Sequence, residues 1–391
     1  MKKFYPILIT MILFSSQCGY VNSNNFSHKN KNNADISDEN TTSTIPSYYD
    51  DNGIFSSCYE MAYKSLKTMS LEEKIGQLFL ARCPAEGAID VIKKYKIGGF
   101  VLFRRDFQDK SFHEVADTLS SYQKASNIPL ILSTDEEGGT VVRISNNENL
   151  SKHRFLSPQE LFKLGGMEKI KNDAIEKAKL LKSLGINVNL APVADVSENP
   201  DDFIYNRSFG KNAEETKYFI KTVVTITQSN GVSSCLKHFP GYGNNIDTHT
   251  DVAIDERPFE SFLKNDFKPF EEGIKNGVHC ILVSHNIVKC MDDTLPSSLS
   301  PNVHRILRED LGFTGIIITD DLVMDAIKLH TSSENPAIQA ILAGNDMMIV
   351  TDIAEAYSKV LLACLDGKIS ETQIDKACFR VLAFKYYIGK L

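Results

Sequence analysis

From about residue 58 onward, short apolar runs alternate with longer amphipathic stretches. The runs are Gln77 to Arg82, Gly98 to Phe103, Pro129 to Asp135, Ile186 to Pro192, Val232 to His238, Val278 to His285, Gly315 to Asp320 and Asp346 to Val350. Several are nearly continuous in Val, Ile, Leu and Phe. That is the pattern of parallel strands covered on both faces. Helical patterns lie between most of them. Pro269 to Asn276 carries a proline suited to a first helical turn, Ala337 to Ala343 is a second, and Ile374 to Ile388 places Ile374, Ala377, Cys378, Val381 and Ile388 on one side. The alternation predicts an α/β protein, a single-domain (β/α)8 barrel resembling the TIM barrel. A doubly wound open sheet is the competing architecture, but no Gly-x-Gly-x-x-Gly follows the first strand and no phosphate-binding loop appears.

Ahead of the barrel the pattern changes twice. Met1-Lys2-Lys3 followed by an apolar stretch, Phe4 to Phe14, is too short for the roughly 20 residues that span a bilayer and reads as a secretory signal over residues 1–18. Its end, Ser15-Ser16-Gln17-Cys18, resembles a loose lipobox, so the predicted contact with a membrane is through a lipid on Cys18. Residues 19–54, rich in Asn, Ser, Thr, Lys and Asp, read as a polar tether, which leaves 55–391 as the folded domain of an exported protein, periplasmic or at the cell surface.

Charge narrows the partners. The net charge of -7, with no basic run interleaved with aromatics, argues against nucleic acid. Eight cysteines occur without a Cys-x-x-Cys pair, so no zinc ribbon or redox motif is expected. Cys235, Cys280 and Cys364 read as small buried hydrophobes, and export leaves a bridge involving Cys58, Cys83 or Cys290 open.

In a (β/α)8 barrel the chemistry sits where strands end. Here the ends carry Arg82, Arg104 and Arg105, Asp135 with Glu136 and Glu137, Asp195, Lys237 with His238, His285, and Asp320 with Asp321. Lys237 to Asp251 is too polar for core and too broken by Gly and Pro for helix, and it reads as an active-site loop. Carboxylates with cationic donors, without metal spacing or nucleotide loops, suit hydroxyl-rich substrates. Glycoside hydrolysis with retention needs a carboxylate nucleophile and a proton donor. Asp320, at a rigid strand end, suits the first task. Asp247 and His249 suit the second, since an Asp can hold one tautomer of a His that titrates near neutral pH. Asp321 reads as a cap, Arg104 and Arg105 as rim residues, Glu136 and Glu137 as structural acids of a tight turn, and His285 equally as core or site.

Together these residues resemble the single-domain β-N-acetylhexosaminidases of glycoside hydrolase family three. The resemblance runs through Thr134-Asp-Glu-Glu-Gly-Gly139 with Arg143, Asn206-Arg-Ser-Phe-Gly210, Lys237-His-Phe-Pro-Gly241, Asp247-Thr-His249, and Ile318-Thr-Asp-Asp-Leu322 with Met324. It implies Asp320 as nucleophile, His249 as general acid/base and Asp247 as its orienting partner. It also implies that Asp135, Arg143, Arg207, Lys237 and His238 hold the hydroxyls of N-acetylglucosamine, with no cofactor. The implied substrate is a β-linked N-acetylglucosaminide of peptidoglycan or chitin origin. The alternatives are a β-glucosidase, β-xylosidase or phosphorylase of the same family, or a non-catalytic sugar-binding lipoprotein. Tyr242 stands where members usually have His, the loop to Asp247 is one residue short, and Thr140 replaces a basic residue.

Overall fold

The computed structural model describes residues 45–46, 52–245, 253–323 and 335–391. The predicted signal, Cys18, nearly all of the tether, Asp247, His249 and Met324 lie outside the described residues. Ten strands follow in chain order: β1 (Phe79–Arg82), β2 (Gly99–Leu102), β3 (Ile131–Thr134), β4 (Val188–Asn189), β5 (Ser233–Phe239), β6 (Ile254–Asp255), β7 (Cys280–Val283), β8 (Ile287–Val288), β9 (Ile316–Asp321) and β10 (Met347–Val350). Eight of them close a parallel barrel in the order β1-β10-β9-β7-β5-β4-β3-β2, while β6 and β8 form a separate parallel pair. Each of the eight predicted apolar runs overlaps one barrel strand, with β5 and β9 running one residue further. The barrel staves are almost wholly buried because the interior covers one face and the surrounding helices the other.

Local signals set the helix starts. Ser70, Ser111, Ser157 and Ser370 each cap a helix in a reciprocal box with Glu73, Glu114, Glu160 and Gln373. Each box satisfies backbone N–H groups that have no partner within the helix. The helix Pro336–Ala343 agrees with the sequence reading, and Glu371–Tyr387 is buried nearly all round because Tyr59–Thr68 packs against it outside the barrel. Pro269 departs from expectation. The helical run starts at Phe259 and passes through a wide turn at Phe262–Asp266 before Phe267–Lys275, so the proline lies well inside it. The wider turn separates the carbonyls that a proline ring would otherwise meet.

The cysteine expectations need two corrections. All seven described cysteines are free thiols, with Cys58 and Cys83 buried inside the fold and Cys290 on the surface, so none of the anticipated bridges forms among them. Cys364 is only half-buried, on the outer side of Ile353–Leu365.

The barrel ladder is irregular at two places. Between β5 and β7, Leu236 pairs with Ile281 and Phe239 with Val283, three steps against two. Between β9 and β10, Ile318 pairs with Met347 and Asp321 with Ile349, again three against two. Each is a β-bulge, one extra residue on the longer strand, placed just before the carboxyl mouth.

Candidate active site

The β5 irregularity coincides with a cis peptide bond between Lys237 and His238 and the β9 irregularity with Asp320-Asp321, and at both places neighbouring residues reach the mouth. In an unbroken strand neighbours point to opposite faces, so only one of Lys237 and His238, and one of Asp320 and Asp321, would face inward. Here all four line one cavity of about 300 Å³, together with Arg82, Phe103, Asp135, Glu137, Arg143 and Arg207. At β9 the hydroxyl of Thr319 accepts a hydrogen bond from the Ile349 N–H at 3.1 Å, filling the ladder position that the bulge disturbs.

On one side of the cavity the charges form a chain of pairs. The Lys237 ammonium sits 2.7 Å from Asp135 Oδ1 and 2.7 Å from Glu137 Oε1. Arg207 donates to both oxygens of Glu137, at 3.0 and 2.8 Å, in the two-pronged geometry that suits guanidinium and carboxylate. Arg143 reaches Asp135 at 3.4 Å. Burial works against the Lys237 charge, but the carboxylates of Asp135 and Glu137 outweigh it and hold its pKa above the ordinary value. Burial likewise opposes ionisation of Glu137, and Arg207 with Lys237 overcomes it, keeping this carboxyl well below the usual range. The cations are therefore fixed, charged and aimed.

His238 belongs to the same chain. Its Nδ1 lies 2.8 Å from Asp195 Oδ2 and its Nε2 lies 3.1 Å from an Arg207 N–H. A guanidinium only donates, so Nε2 accepts and the ring proton sits on Nδ1, directed at Asp195. Asp195 also accepts from the backbone N–H of His238 at 3.0 Å and of Tyr242 at 2.7 Å. Tyr242, the departure from the family pattern, is buried with its ring edge-on to His238 at 5.3 Å. Its backbone N–H ties this corner to Asp195.

Across the mouth stands Asp320. In the closed strand order β9 is four places from β3 in either direction, so Asp320 faces the exit of β3, where Asp135 sits and to which Arg143 reaches back from the following loop. Asp320 Oδ1 accepts from the Asp321 N–H at 2.8 Å. Asp321 is engaged elsewhere, accepting from Val323 N–H at 3.2 Å and the Thr351 hydroxyl at 2.7 Å, and burial raises its pKa. His285 is fully buried and donates from Nε2 to the Asp321 carbonyl at 3.0 Å, with Nδ1 on Ser298 at 2.7 Å. It braces the β9 exit from within the core.

The structure thus brings Asp135, Arg143, Arg207, Lys237, His238 and Asp320 to one cavity, while Asp247 and His249 fall outside the described residues. Glu137, left out of the site in the sequence reading, lines the same cavity. Of the two acids read as structural, Glu136 accepts from the backbone N–H groups of Arg143, Ile144 and Ser145 at 2.7, 2.8 and 3.2 Å. Glu137 bridges the two main cations. Phe103 also lines the cavity without having been singled out by sequence; its ring lies 4.6 Å from the Arg82 guanidinium and 5.5 Å from that of Arg143. The Nε groups of Arg82 and Arg143 are buried without a hydrogen-bond partner among the described residues. Among the described residues no cluster of His, Cys, Asp and Glu has the arrangement of a metal site.

A closed (β/α)8 barrel whose mouth pairs a strand-end carboxylate with a wall of fixed cations suits a hydroxyl-rich substrate. The chain belongs to the family described as Glycosyl hydrolase family 3 N terminal domain, which matches residues 70–384, and it is a glycosidase. It is similar to a solved glycoside hydrolase family 3 beta-N-acetylglucosaminidase from Paenibacillus sp., with 31% identity and a TM-score of 0.77 over 83% of this chain and 63% of that one. The chain therefore spans less than two thirds of that relative's length. A beta-N-acetylhexosaminidase structure from Beutenbergia cavernae superposes with a TM-score of 0.73 at 27% identity, covering 81% of this chain and 99% of that chain. A beta-hexosaminidase of Stenotrophomonas maltophilia is 30% identical over 272 residues, 67% of this chain and 78% of the relative.

Proposed function

We propose that the protein is a retaining β-N-acetylhexosaminidase that removes β-linked N-acetylglucosamine from the non-reducing end of peptidoglycan fragments or chitooligosaccharides. The observation that carries this reading is the placement of Asp320 in one cavity with Asp135, Arg143, Arg207, Lys237 and His238, while its neighbour Asp321 is held by Val323 and Thr351. Relatives described as beta-N-acetylglucosaminidase and beta-hexosaminidase support the choice of sugar.

In the first step an Asp320 carboxylate oxygen bonds to the anomeric carbon as the glycosidic C–O bond breaks, and His249 gives its proton to the departing oxygen. In the second, His249 takes a proton from water, the water oxygen bonds to the anomeric carbon, and Asp320 leaves as carboxylate. Asp247 orients His249 and favours its protonated form. The paired cations and Asp135 hold the ring hydroxyls, so positioning and hydrogen bonding at the oxocarbenium-like transition state are supplied by groups already locked in place.

The N-terminal region fits an exported enzyme tethered outside the cytoplasm through residues 19–54, with Cys18 as lipid acceptor. A relative from Arthroderma benhamiae described as a secreted glycosyl hydrolase agrees with export.

The test is release of nitrophenol from the β-N-acetylglucosaminide and the β-glucoside by protein lacking residues 1–50. Preference for the acetamido sugar is expected. Asp320→Asn should abolish turnover, and His249→Ala should lower it by about 10²- to 10⁴-fold. Preference for the glucoside would move the protein to a β-glucosidase, and faster turnover in phosphate with glycosyl phosphate as product would make it a phosphorylase. Sugar binding without turnover would leave a binding lipoprotein.

A further inference from the structure

Outside the barrel, one helix residue is bonded to the turn that carries two acids of the site. Residues 135–139 follow β3, and the carboxylates of Asp135 and Glu137 both meet the Lys237 ammonium. Lys177, in the helix Pro158–Leu184, donates from Nζ to the Glu137 carbonyl at 2.9 Å. One helical turn earlier, Asp173 holds the same ammonium at 3.1 Å, and the ring of Phe155 lies 5.1 Å from it. An Asp–Lys pair one turn apart on an open helix surface contributes little. Here the two side chains are only 9% and 12% exposed, and a charge so far from water needs its partners.

The turn is shaped to receive that bond. Gly138 and Gly139 have φ of 105° and 62°, and a Cβ on Gly138 would lie 2.2 Å from the Leu156 carbonyl oxygen. The turn therefore presses against the segment that leads into the helix of Lys177. The Gly139 N–H donates to the Phe155 carbonyl and the Glu137 N–H to that of Val141, each at 3.0 Å. With Lys177 on its carbonyl, Glu137 has both backbone polar groups fixed while its carboxylate faces the cations.

Behind the turn lies a second cavity, of about 40 Å³, whose lining includes Asp173, Lys177 and Asn189 with Glu137 and Arg207. Glu137 and Arg207 also line the mouth cavity, so their ion pair is the partition between the two. A group with space on both sides is held by its bonds more than by its packing. The Lys177 bond reaches this partition from the rear.

We propose that Lys177 is a positioning residue for sugar binding. From the helix layer, and without touching substrate, it fixes the turn at Glu137 and, through Glu137, the Lys237 and Arg207 cations. The inference rests on the reading of the mouth cavity as the sugar site, and it goes beyond that reading by naming what holds the wall of the site from outside the barrel.

The test is a double-mutant cycle on KM for the nitrophenyl β-N-acetylglucosaminide, using the parent, Lys177→Met, Glu137→Gln and the double variant, with thermal melting of each. Methionine keeps much of the apolar stem and removes the donor. Lys177→Met is expected to raise KM about fivefold or more on the parent background. On the Glu137→Gln background the rise should stay below about twofold, since the carboxylate through which Lys177 acts no longer pairs with the cations. Lys177→Arg keeps charge and donors and should stay within about twofold of the parent. If Lys177→Met does not fold, Asp173→Asn replaces it in the cycle; it removes the charge that aims the ammonium and should show the same pattern more weakly. A role in stability alone would lower the melting temperature and leave KM unchanged. That result, or an equal rise in KM on both backgrounds, would overturn the proposal. The comparison is made on whichever glycoside the parent turns over, so preference for the β-glucoside would overturn the choice of sugar and still decide the role of Lys177. If neither is turned over, the dissociation constant of N-acetylglucosamine, measured by calorimetry, takes the place of KM.

Discussion

At the scale of single residues, the site is a set of charges that cannot be removed one at a time without exposing another. Glu137 shows this most clearly, because it contacts both Lys237 and Arg207 at hydrogen-bonding distance. Glu137→Gln keeps the shape but removes the charge that compensates two buried cations. Breaking a buried pair of this kind costs on the order of 3 kcal/mol, and the loosened cations should raise KM for the nitrophenyl N-acetylglucosaminide by roughly tenfold. Denaturant unfolding together with steady-state kinetics checks both, and an unchanged KM would show that Glu137 serves stability alone. Asp135, Arg143, Arg207, Lys237, His238 and Asp320 were all legible in the sequence, most of them as polar groups at strand ends. Glu137 was not, because two adjacent acids in a glycine turn look alike in sequence, and only their partners distinguish them. Glu136 meets three backbone N–H groups; Glu137 meets two cations.

At the scale of elements, the strands were readable because burial on both faces demands unbroken apolar runs, which survive in β2, β7 and β10. The bulges in β5 and β9 were not. A bulge is a relation between two strands, and neither sequence alone declares it. The adjacent polar pairs Lys237-His238 and Asp320-Asp321 were the available signal, since alternation should have sent one of each pair into the helix layer. Thr319 offers a test of the β9 bulge. Replacing it with Val removes the acceptor for the Ile349 N–H and leaves a buried donor unsatisfied, at a cost of about 1–3 kcal/mol. Thr319→Val should melt at a lower temperature and lose kcat, as Asp320 shifts with the strand end; full activity with unchanged melting would mean that the bulge does not depend on this bond. Pro269 carries a similar lesson. A proline ahead of an apolar run suggests a helix start, and the wide turn that accommodates this one inside a helix leaves no mark on the hydrophobic pattern.

At the scale of the whole molecule, a buried cation lies near the amino ends of β1 and β2, away from the mouth. Lys385 of the last helix is completely buried and donates to Gln77 Oε1 at 2.6 Å, while Gln77 Nε2 donates to the Lys96 carbonyl at 2.8 Å. Burial pushes the Lys385 ammonium down to about 7 from its ordinary value of 10.5. Between those two values the unfolded chain binds a proton that the folded protein does not, so stability rises with pH across the window. Lys385→Met should abolish this rise. The variant should gain most over the parent at or below pH 7, on the order of a few kcal/mol, with the advantage shrinking toward pH 10. Thermal melting across that range measures it, and a constant difference would show that Lys385 stays charged in the fold.

The strand order also sets a length. Asp320 and Asp135 stand at the ends of opposite staves of an eight-stranded ring, and the diameter of such a ring follows from the number of staves. The jaws of the site are therefore spaced by the barrel itself rather than by its loops. Loop substitutions can change what the jaws grip, but the gap between them stays the same, which makes the barrel a caliper for its substrate.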